Sequence, residues 1–293
     1  MKRDILVMDM TLLLQVTLNG LMLGMIYIVV ALGLTLIFSI MNVINFAHGE
    51  MYMLGGLVAY YFSEQLQIPY MLILVLAMIL VGVFGIVVEK IFFRPFRGEL
   101  LPALIVSLGL SMTIQTLTLL NFGTEDQSVS TVFPGMINFF GALFSKERLA
   151  IVITCIVFIL LLYLLIQRSK IGCAIRAIAE DREAAALQGV NIDRICSFTF
   201  GLGCALAAAA GVLIAPVFYV NPYIGGLPLL KAFIIIILGG MGSLLGAVVG
   251  GLILGTVESF GTFFLSVPAS NLLGFIIIIL MLLFKPSGLF GHE

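Results

Sequence analysis

The polar side chains best suited to bind a ligand or take part in a reaction lie close together in the first quarter of the chain. Asn42, Asn45, His48 and Glu50 lie in one short stretch that is otherwise apolar. Amides, an imidazole and a carboxylate are costly in lipid, so they must face protein, water or the membrane interface. Gly49 lets the backbone turn there or lets another helix approach closely. The pattern predicts either the lining or gate of a transport path, or a polar turn at a membrane surface.

This stretch does not supply the partners that catalysis or metal binding requires. His48 and Glu50 are two residues apart and therefore occupy different faces of a helix. The other histidine, His292, stands at the extreme carboxyl end, and the four cysteines show no metal-ligand spacing. A zinc site or a Ser-His pair would lack its partners. The sequence therefore argues against an intramembrane enzyme and predicts no cofactor and no metal.

Two further features of the second half bear on a path through the membrane. Glu258 is an isolated ionisable residue in an apolar run, where it serves either a path or helix packing, or is solvated at the interface. Gly239 and Gly240 open a glycine-rich break before another apolar run. Such a break either unwinds a helix at depth, which is tolerated only where protein or water surrounds it, or allows tight packing.

The elements that position these residues are membrane helices. Hydrophobic residues make up 62% of the 293 residues and charged residues only 10%, whereas soluble domains contain roughly 25% charged residues. The net charge of −1 gives no reason to expect a nucleic-acid partner. We therefore predict an all-α, polytopic integral membrane protein that forms one domain over residues 1–293.

A helix needs about 20 apolar residues to cross the hydrocarbon core. The candidate spans are Met71–Val88, Leu101–Leu120, Leu149–Ile166, Ile195–Val220, Leu244–Val267 and the shorter Asn271–Phe284. Two stretches are irregular, namely Thr11–Ile40 and the brief run Phe233–Leu238. Counting these, we expect about eight to ten membrane segments, some of them short or broken.

Basic residues orient the spans. The loop Glu89–Leu100 and the loop Gln167–Arg194 carry most of them and are separated by two crossings, so both lie on one side, which the positive-inside rule makes cytoplasmic. The stretch Thr11–Ile40 is too long for one perpendicular helix and short for two. A single crossing would put the amino terminus outside; a break near Gly33 to Thr35 would put Lys2 and Arg3 inside, which we favour.

The order of segments hints at an internal repeat. In each half, a long helix, a short apolar run and a break are followed by further spans. Repeats with broken helices around a shared centre are typical of transporters. Identity between the halves is slight, so this prediction rests on the order of elements.

The loop of residues 167–194 is predicted to contain two short helices. Gly172–Glu180 has an amphipathic pattern, Asp181 is a suitable cap for a second helix over Arg182–Gln188, and Gly189 is its stop. A charged, helical loop between spans suits docking to a partner protein better than it suits a simple connector.

Within this loop, Glu183-Ala184-Ala185 followed by Gly189 resembles the EAA-x-x-x-G loop of ATP-binding-cassette importer permeases. The chain as a whole resembles the permease of the high-affinity branched-chain amino acid importer. The strings that carry the resemblance are Asn45-Phe-Ala-His-Gly-Glu50, Ala179-Glu-Asp181, Gly189-Val-Asn-Ile-Asp-Arg194, Asn221-Pro-Tyr-Ile-Gly225, Lys231-Ala-Phe233, Leu238-Gly-Gly-Met-Gly-Ser243 and Gly250-Gly-Leu-Ile-Leu-Gly255.

The resemblance implies a subunit of the cytoplasmic (inner) membrane that works with several partners. These are two ATPase subunits, a second homologous permease and an extracytoplasmic binding protein delivering Leu, Ile or Val, and the loop of residues 167–194 is expected to dock on the ATPase subunit. No lysine follows a glycine, so the chain has no Walker A motif. ATP hydrolysis is therefore expected on another polypeptide.

Two rival functions remain open from the sequence. A related permease for urea, a sugar or a nucleoside would share this architecture. A secondary transporter would couple to ions through intramembrane acids, for which Glu50 and Glu258 are the candidates.

Overall fold

The computed structural model of the chain describes residues 2–139 and 141–290. His292 lies outside this part. The helices are α1 Lys2–Met41, α2 His48–Tyr60, α3 Tyr70–Val88, α4 Leu100–Phe122, α5 Lys146–Arg168, α6 Lys170–Glu180, α7 Arg182–Leu187, α8 Ile192–Ile214, α9 Gly226–Gly239, α10 Leu244–Phe264 and α11 Val267–Phe284. A short hairpin, β1 Met136–Phe139 and β2 Ala142–Ser145, joins α4 to α5.

Seven of the described helices are long and apolar enough to cross a membrane, and α9 is a shorter apolar helix. The polytopic helical fold is thus confirmed. Five of the predicted spans agree with helices to within a few residues. The sixth, Ile195–Val220, was predicted too long, because α8 ends at Ile214 just before Pro216, whose ring and missing N–H oppose helix continuation.

The two sides of the bundle are distinguished by their loops. The basic face carries residues 89–99 between α3 and α4 together with α6 and α7, and the hairpin face carries β1 and β2. Since α4 and α5 each run between these faces, the two basic loops lie on the same side, as predicted.

The prediction that the first apolar stretch breaks near Gly33 to Thr35 is wrong. The helix α1 is continuous through these residues. A Cβ at Gly33 would stand 2.6 Å from the carbonyl oxygen of Gly203, so this glycine serves close packing against α8 and not a bend.

The preferred side of the amino terminus is consequently also wrong. The first half of α1 lies at the hairpin face, where the Gln15 side-chain amide donates to the Leu143 carbonyl at 3.4 Å and the Arg148 guanidinium donates to Asn19. Its other end reaches the basic face, where α1 contacts α6. One long crossing therefore places the start of α1 opposite the basic loops.

The order of elements agrees with the predicted repeat. In the first half α1 is followed by the short α2 and by α3; in the second half α8 is followed by the short α9 and by α10. The long helices α1 and α8 run in opposite directions and cross at Gly33 and Gly203. The short helices begin side by side. Their backbones are so close that a Cβ at Gly49 would lie 2.6 Å from the Gly225 carbonyl oxygen.

The two short helices run from this central contact to opposite faces. The α2 helix continues as a π-helix, Tyr61–Gln65, to the hairpin face, where the Glu64 carboxylate accepts from the Ser130 N–H at 2.8 Å. The α9 helix ends on the basic face, beside the carboxyl-terminal segment, which donates from Phe290 N–H to the Gly239 carbonyl at 3.0 Å. The interior of the bundle is thus built around two broken helices.

Candidate functional site

The polar stretch of the first half lies in the break between α1 and α2. The helix α1 ends at Met41, and Asn42 follows with φ +51°, a conformation that asparagine tolerates better than most residues. Residues 42–47 are not helical. The helical chain is therefore broken between α1 and α2 at this point. Asn42 itself is exposed and does not join the buried side chains that follow it.

Asn45, His48 and Glu50 are all buried at the centre of the bundle. The Asn45 side-chain oxygen accepts from the Ala47 N–H at 3.0 Å and so shapes the turn that starts α2. The His48 ring packs at Gly33, with Nε2 3.1 Å from the Val30 carbonyl oxygen. The arrangement is a turn buried inside the bundle.

Two serines of α4 hold this segment from the other side. The Ser107 hydroxyl accepts from the Phe46 N–H at 3.2 Å, and the Ser111 hydroxyl donates to the Glu50 carboxylate at 2.9 Å. Sequence reasoning missed both. The sequence feature that could have identified them is the i, i+4 spacing of two hydroxyls in an apolar span, because this spacing places both on one helix face.

Each of the three buried side chains keeps one polar atom without a partner among the described residues. These atoms are Asn45 Nδ2, His48 Nδ1 and Glu50 Oε2. Buried polar groups normally have partners, so such atoms need an explanation. Together they give the break unused donors and acceptors that water or a polar solute can satisfy.

Glu258 belongs to a different cluster and is not isolated. Its carboxylate lies 3.0 Å from Lys231 Nζ of α9 and accepts from the Tyr27 hydroxyl of α1 at 3.2 Å. Lys231 also donates to Asn271 of α11 at 2.9 Å. The description of Glu258 as a lone ionisable residue is therefore corrected: a lysine in another apolar segment neutralises it.

The helix α9 connects the two clusters. Its start touches α2 at Gly49, and its Phe233 ring packs on Phe46 with 5.3 Å between ring centroids. Lys231, two residues away from Phe233, projects from a different face toward Glu258. A shift of α9 would consequently change contacts both at the buried turn before α2 and at the Lys231–Glu258 pair.

Gly239 and Gly240 lie apart from both clusters, at the end of α9 on the basic face. Gly240 has φ +100° and Gly242 has φ +87°, so the chain makes a tight turn rather than an unwound helix at depth. A Cβ at Gly239 would lie 2.4 Å from the Gly246 oxygen, which shows backbone packing between the ends of α9 and α10.

The predicted helices of the basic loop are confirmed as α6 and α7. The Asp181 carboxylate caps α7 by accepting from the N–H groups of Glu183 and Ala184 at 2.9 and 3.0 Å. Gly189 ends it with φ +82°, while the Val190 N–H bonds to the Ala185 carbonyl at 3.1 Å. This pairing belongs to the Schellman motif.

The capped α7 presents a small surface to its surroundings. Ala185 is buried against the protein, whereas Glu183, Ala184 and Gly189 are exposed, and Leu187 exposes 88% of its surface. The loop thus offers an apolar side chain with charged neighbours outside the bundle.

No group of three or more His, Cys, Asp or Glu side chains within residues 2–139 and 141–290 is arranged to hold a metal ion. The cysteines are free thiols, three buried and Cys173 exposed on α6. The site is therefore described by its hydrogen-bonding groups and its helix contacts.

Comparison with known proteins gives consistent matches over almost the whole chain. The family model described as "Branched-chain amino acid transport system / permease component" matches residues 16–284. The high-affinity branched-chain amino acid transport permease LivH of Salmonella typhimurium is 36% identical over 296 residues, which cover 95% of this chain and 96% of the relative. The corresponding permease BraD of Pseudomonas aeruginosa is 36% identical with the same shares.

Two further similarities are more distant. The fructose import permease FrcC of Rhizobium meliloti is 30% identical over 53% of this chain and 46% of its own length. Among solved structures, PsaBC from Streptococcus pneumoniae in complex with Fab superposes with a TM-score of 0.52 over 93% of this chain and 92% of that chain, at 12% identity. The latter likeness concerns the fold alone.

Proposed function

Because the chain belongs to the family of permease components of branched-chain amino acid transport systems, we propose that it is the membrane subunit of an ATP-binding-cassette importer for branched-chain amino acids. It works in the cytoplasmic membrane with the basic face inside. Its partners are two ATPase subunits, a second homologous permease and an extracytoplasmic binding protein. Hydrolysis of ATP takes place on the ATPase subunits.

The observation that carries this proposal is the capped helix α7 on the basic face. Asp181 fixes one end and Gly189 the other, so Leu187 and Glu183 are held outside the bundle in one orientation. A docking helix must be rigid for movement of a partner to reach the spans. Through α6 and the start of α8, this loop is joined to both α5 and the central helix crossing.

The proposed path or gate is the break between α1 and α2, at residues 42–47. Asn45, His48 and Glu50 lie between α1, α2, α4 and the start of α9, where unused polar atoms meet the apolar interior. When the ATPase dimer closes, α7 moves with it and the helices rock between two openings. Ligand and nucleotide act by shifting the populations of these two states.

Crosslinking tests the docking role. In a Cys173→Ser background, which removes the exposed thiol, Gln188→Cys should form a crosslink to the ATPase subunit in membranes of cells that express the whole transporter. Met10→Cys, at the other end of the bundle and 70% exposed, is the matched control and should form none. Crosslinking of neither or of both positions would contradict docking at α7.

Uptake by proteoliposomes tests the substrate. The complete transporter with its binding protein should import leucine, isoleucine or valine in an ATP-dependent way and ignore fructose. Fructose is the informative comparison because a fructose permease matches half of this chain. ATP-independent accumulation driven by an ion gradient would overturn the proposal in favour of a secondary transporter.

A further inference from the structure

A groove on the basic face lies between the end of α3 and the start of α8. It encloses about 380 Å³ and is lined by Ile86, Lys90, Arg94, Asn191, Asp193, Arg194, Ser197 and Phe198. Three of these residues are cationic and one is anionic. The groove therefore has a net positive charge, and Ile86 and Phe198 supply its apolar lining.

Only some of the charged side chains in the groove have an oppositely charged partner. The Asp193 carboxylate forms ion pairs with the Arg94 guanidinium and, at 2.6 Å, with the Arg97 guanidinium. Lys90 and Arg194 are exposed, and their side chains form no ion pair or hydrogen bond with the rest of residues 2–139 and 141–290. Lys90 and Arg194 thus have no counter-ion in the groove. They lie beside Arg94, which shares the Asp193 carboxylate with Arg97.

The position of the groove indicates which anion it meets. Ile86, Lys90 and Arg94 belong to the span Tyr70–Phe96, and Arg194, Ser197 and Phe198 belong to the span Ile192–Ile214. From Ile86 back toward the bundle centre, α3 has exposed apolar side chains, including Val83 and Ile79. A cationic mouth at the end of two spans, continuous with an apolar helix surface, matches the boundary between lipid headgroups and acyl chains.

We propose that this groove binds the phosphate headgroup of an anionic phospholipid from the leaflet at the basic face. Lys90 and Arg194 contact the phosphate, Asn191 borders the polar part, and one acyl chain follows Ile86 and the exposed surface of α3. Basic pockets between spanning helices are a recurrent means of lipid recognition. A docked protein is less well matched, since nearly all lining residues belong to spans, whereas α7 projects outside the bundle.

The bound lipid would act at the joint between the docking loop and the spans. Asn191 and Arg194 follow α7 directly, and Asp193 is tied through Arg97 to the buried carboxylate of Glu89. The Phe93 and Phe200 rings pack with 5.0 Å between centroids and hold α3 against α8 next to this network. A bound phosphate would pair with Lys90 and Arg194 where α3 packs on α8. Bound lipid should therefore stabilise the position of α8 where it follows α7.

Native mass spectrometry of the purified transporter tests the proposal. Phosphatidylglycerol should bind the complex more tightly than phosphatidylcholine. The double variant Lys90→Gln/Arg194→Gln should weaken phosphatidylglycerol binding by on the order of tenfold or more, since each cation near an anionic headgroup contributes substantially. Arg168→Gln/Lys170→Gln, which removes two exposed cations on the same face outside the groove, is the matched control and should retain binding.

Four outcomes would overturn this inference. Equal binding of phosphatidylglycerol and phosphatidylcholine, or equal losses in both double variants, would mean that no specific site exists. Displacement of the lipid by millimolar glycerol 3-phosphate would identify a soluble phosphate as the ligand. Loss of ATPase subunits from Lys90→Gln/Arg194→Gln complexes with unchanged lipid binding would make the groove a protein-docking surface. The lipid measurement stands whether or not the transporter carries branched-chain amino acids.

Discussion

The imidazole of His48 lies over Gly33, one turn beyond the carbonyl of Val30 that it contacts at 3.1 Å. A Cβ at Gly33 would stand 3.1 Å from the ring Cε1 and 2.6 Å from the Gly203 oxygen. Gly33 therefore allows both the close crossing of α1 with α8 and the packing of the His48 ring against α1.

Gly33→Ala is expected to lower the thermal unfolding temperature of the detergent-purified permease. The added methyl group meets backbone on one side and an aromatic ring on the other, and overpacking of this kind typically costs about 1–3 kcal/mol. Gly109→Ala is the control, because nothing lies within 4 Å of its added Cβ. An unfolding temperature that is equal in the two variants would contradict the described crossing.

Glu50→Gln is expected to leave the transporter assembled but to slow leucine uptake. The shape of the side chain is kept while the charge is lost, which separates a role in the path from a role in packing. Glu64→Gln is the matched change at the hairpin-face end of the same helical run, and it should transport normally. If Glu50→Gln reduces only the amount of protein in the membrane, the break is structural and the proposed path is wrong.

Gly189→Ala is expected to uncouple ATP hydrolysis from uptake. Open space surrounds the position, so the methyl group meets nothing; the cost is the φ of +82°, roughly 1–2 kcal/mol for a residue with a Cβ. Gly189→Asn tolerates this conformation better and should recover part of the coupling. Comparing ATPase rates with leucine uptake in proteoliposomes measures the effect, and identical ratios in all three proteins would exclude a coupling role for the helix end.

Lys231→Met should destabilise the protein more than the double change Lys231→Met/Glu258→Met. The single variant leaves the Glu258 carboxylate without its cation, and breaking a buried pair costs about 3–5 kcal/mol, whereas replacing both partners by apolar residues is often neutral. Unfolding temperatures of the wild type, both single variants and the double variant complete the cycle. Additive losses would show that the 3.0 Å contact does not stabilise the fold.

Labelling from outside intact cells should separate the two faces. In the Cys173→Ser background, an impermeant maleimide should label Met10→Cys and leave Gln188→Cys unmodified until the cells are opened. The reason is the single crossing of α1, whose first half lies beside β2 and α5. Labelling of Gln188→Cys from outside would reverse the proposed orientation.

Several elements were predictable because their causes are local. Apolar length predicted the spans, and the Asp181 cap and the Gly189 stop predicted α7. Each of these depends on residues within one helix or turn. The family resemblance was likewise visible in short strings distributed along the chain.

Residues close together in the chain are enough to specify a bundle of membrane helices with a capped basic loop, because solvation and capping act on neighbouring residues. The unbroken crossing of α1, its start on the hairpin face and the neutralisation of Glu258 by Lys231 depend on contacts between helices that are distant in the chain. Glycine permits both a bend and a close helix approach, and only the presence of Gly203 opposite Gly33 selects the latter. The partners of a buried charge lie far away in the chain, so the folded arrangement of α9 and α10 alone brings them together.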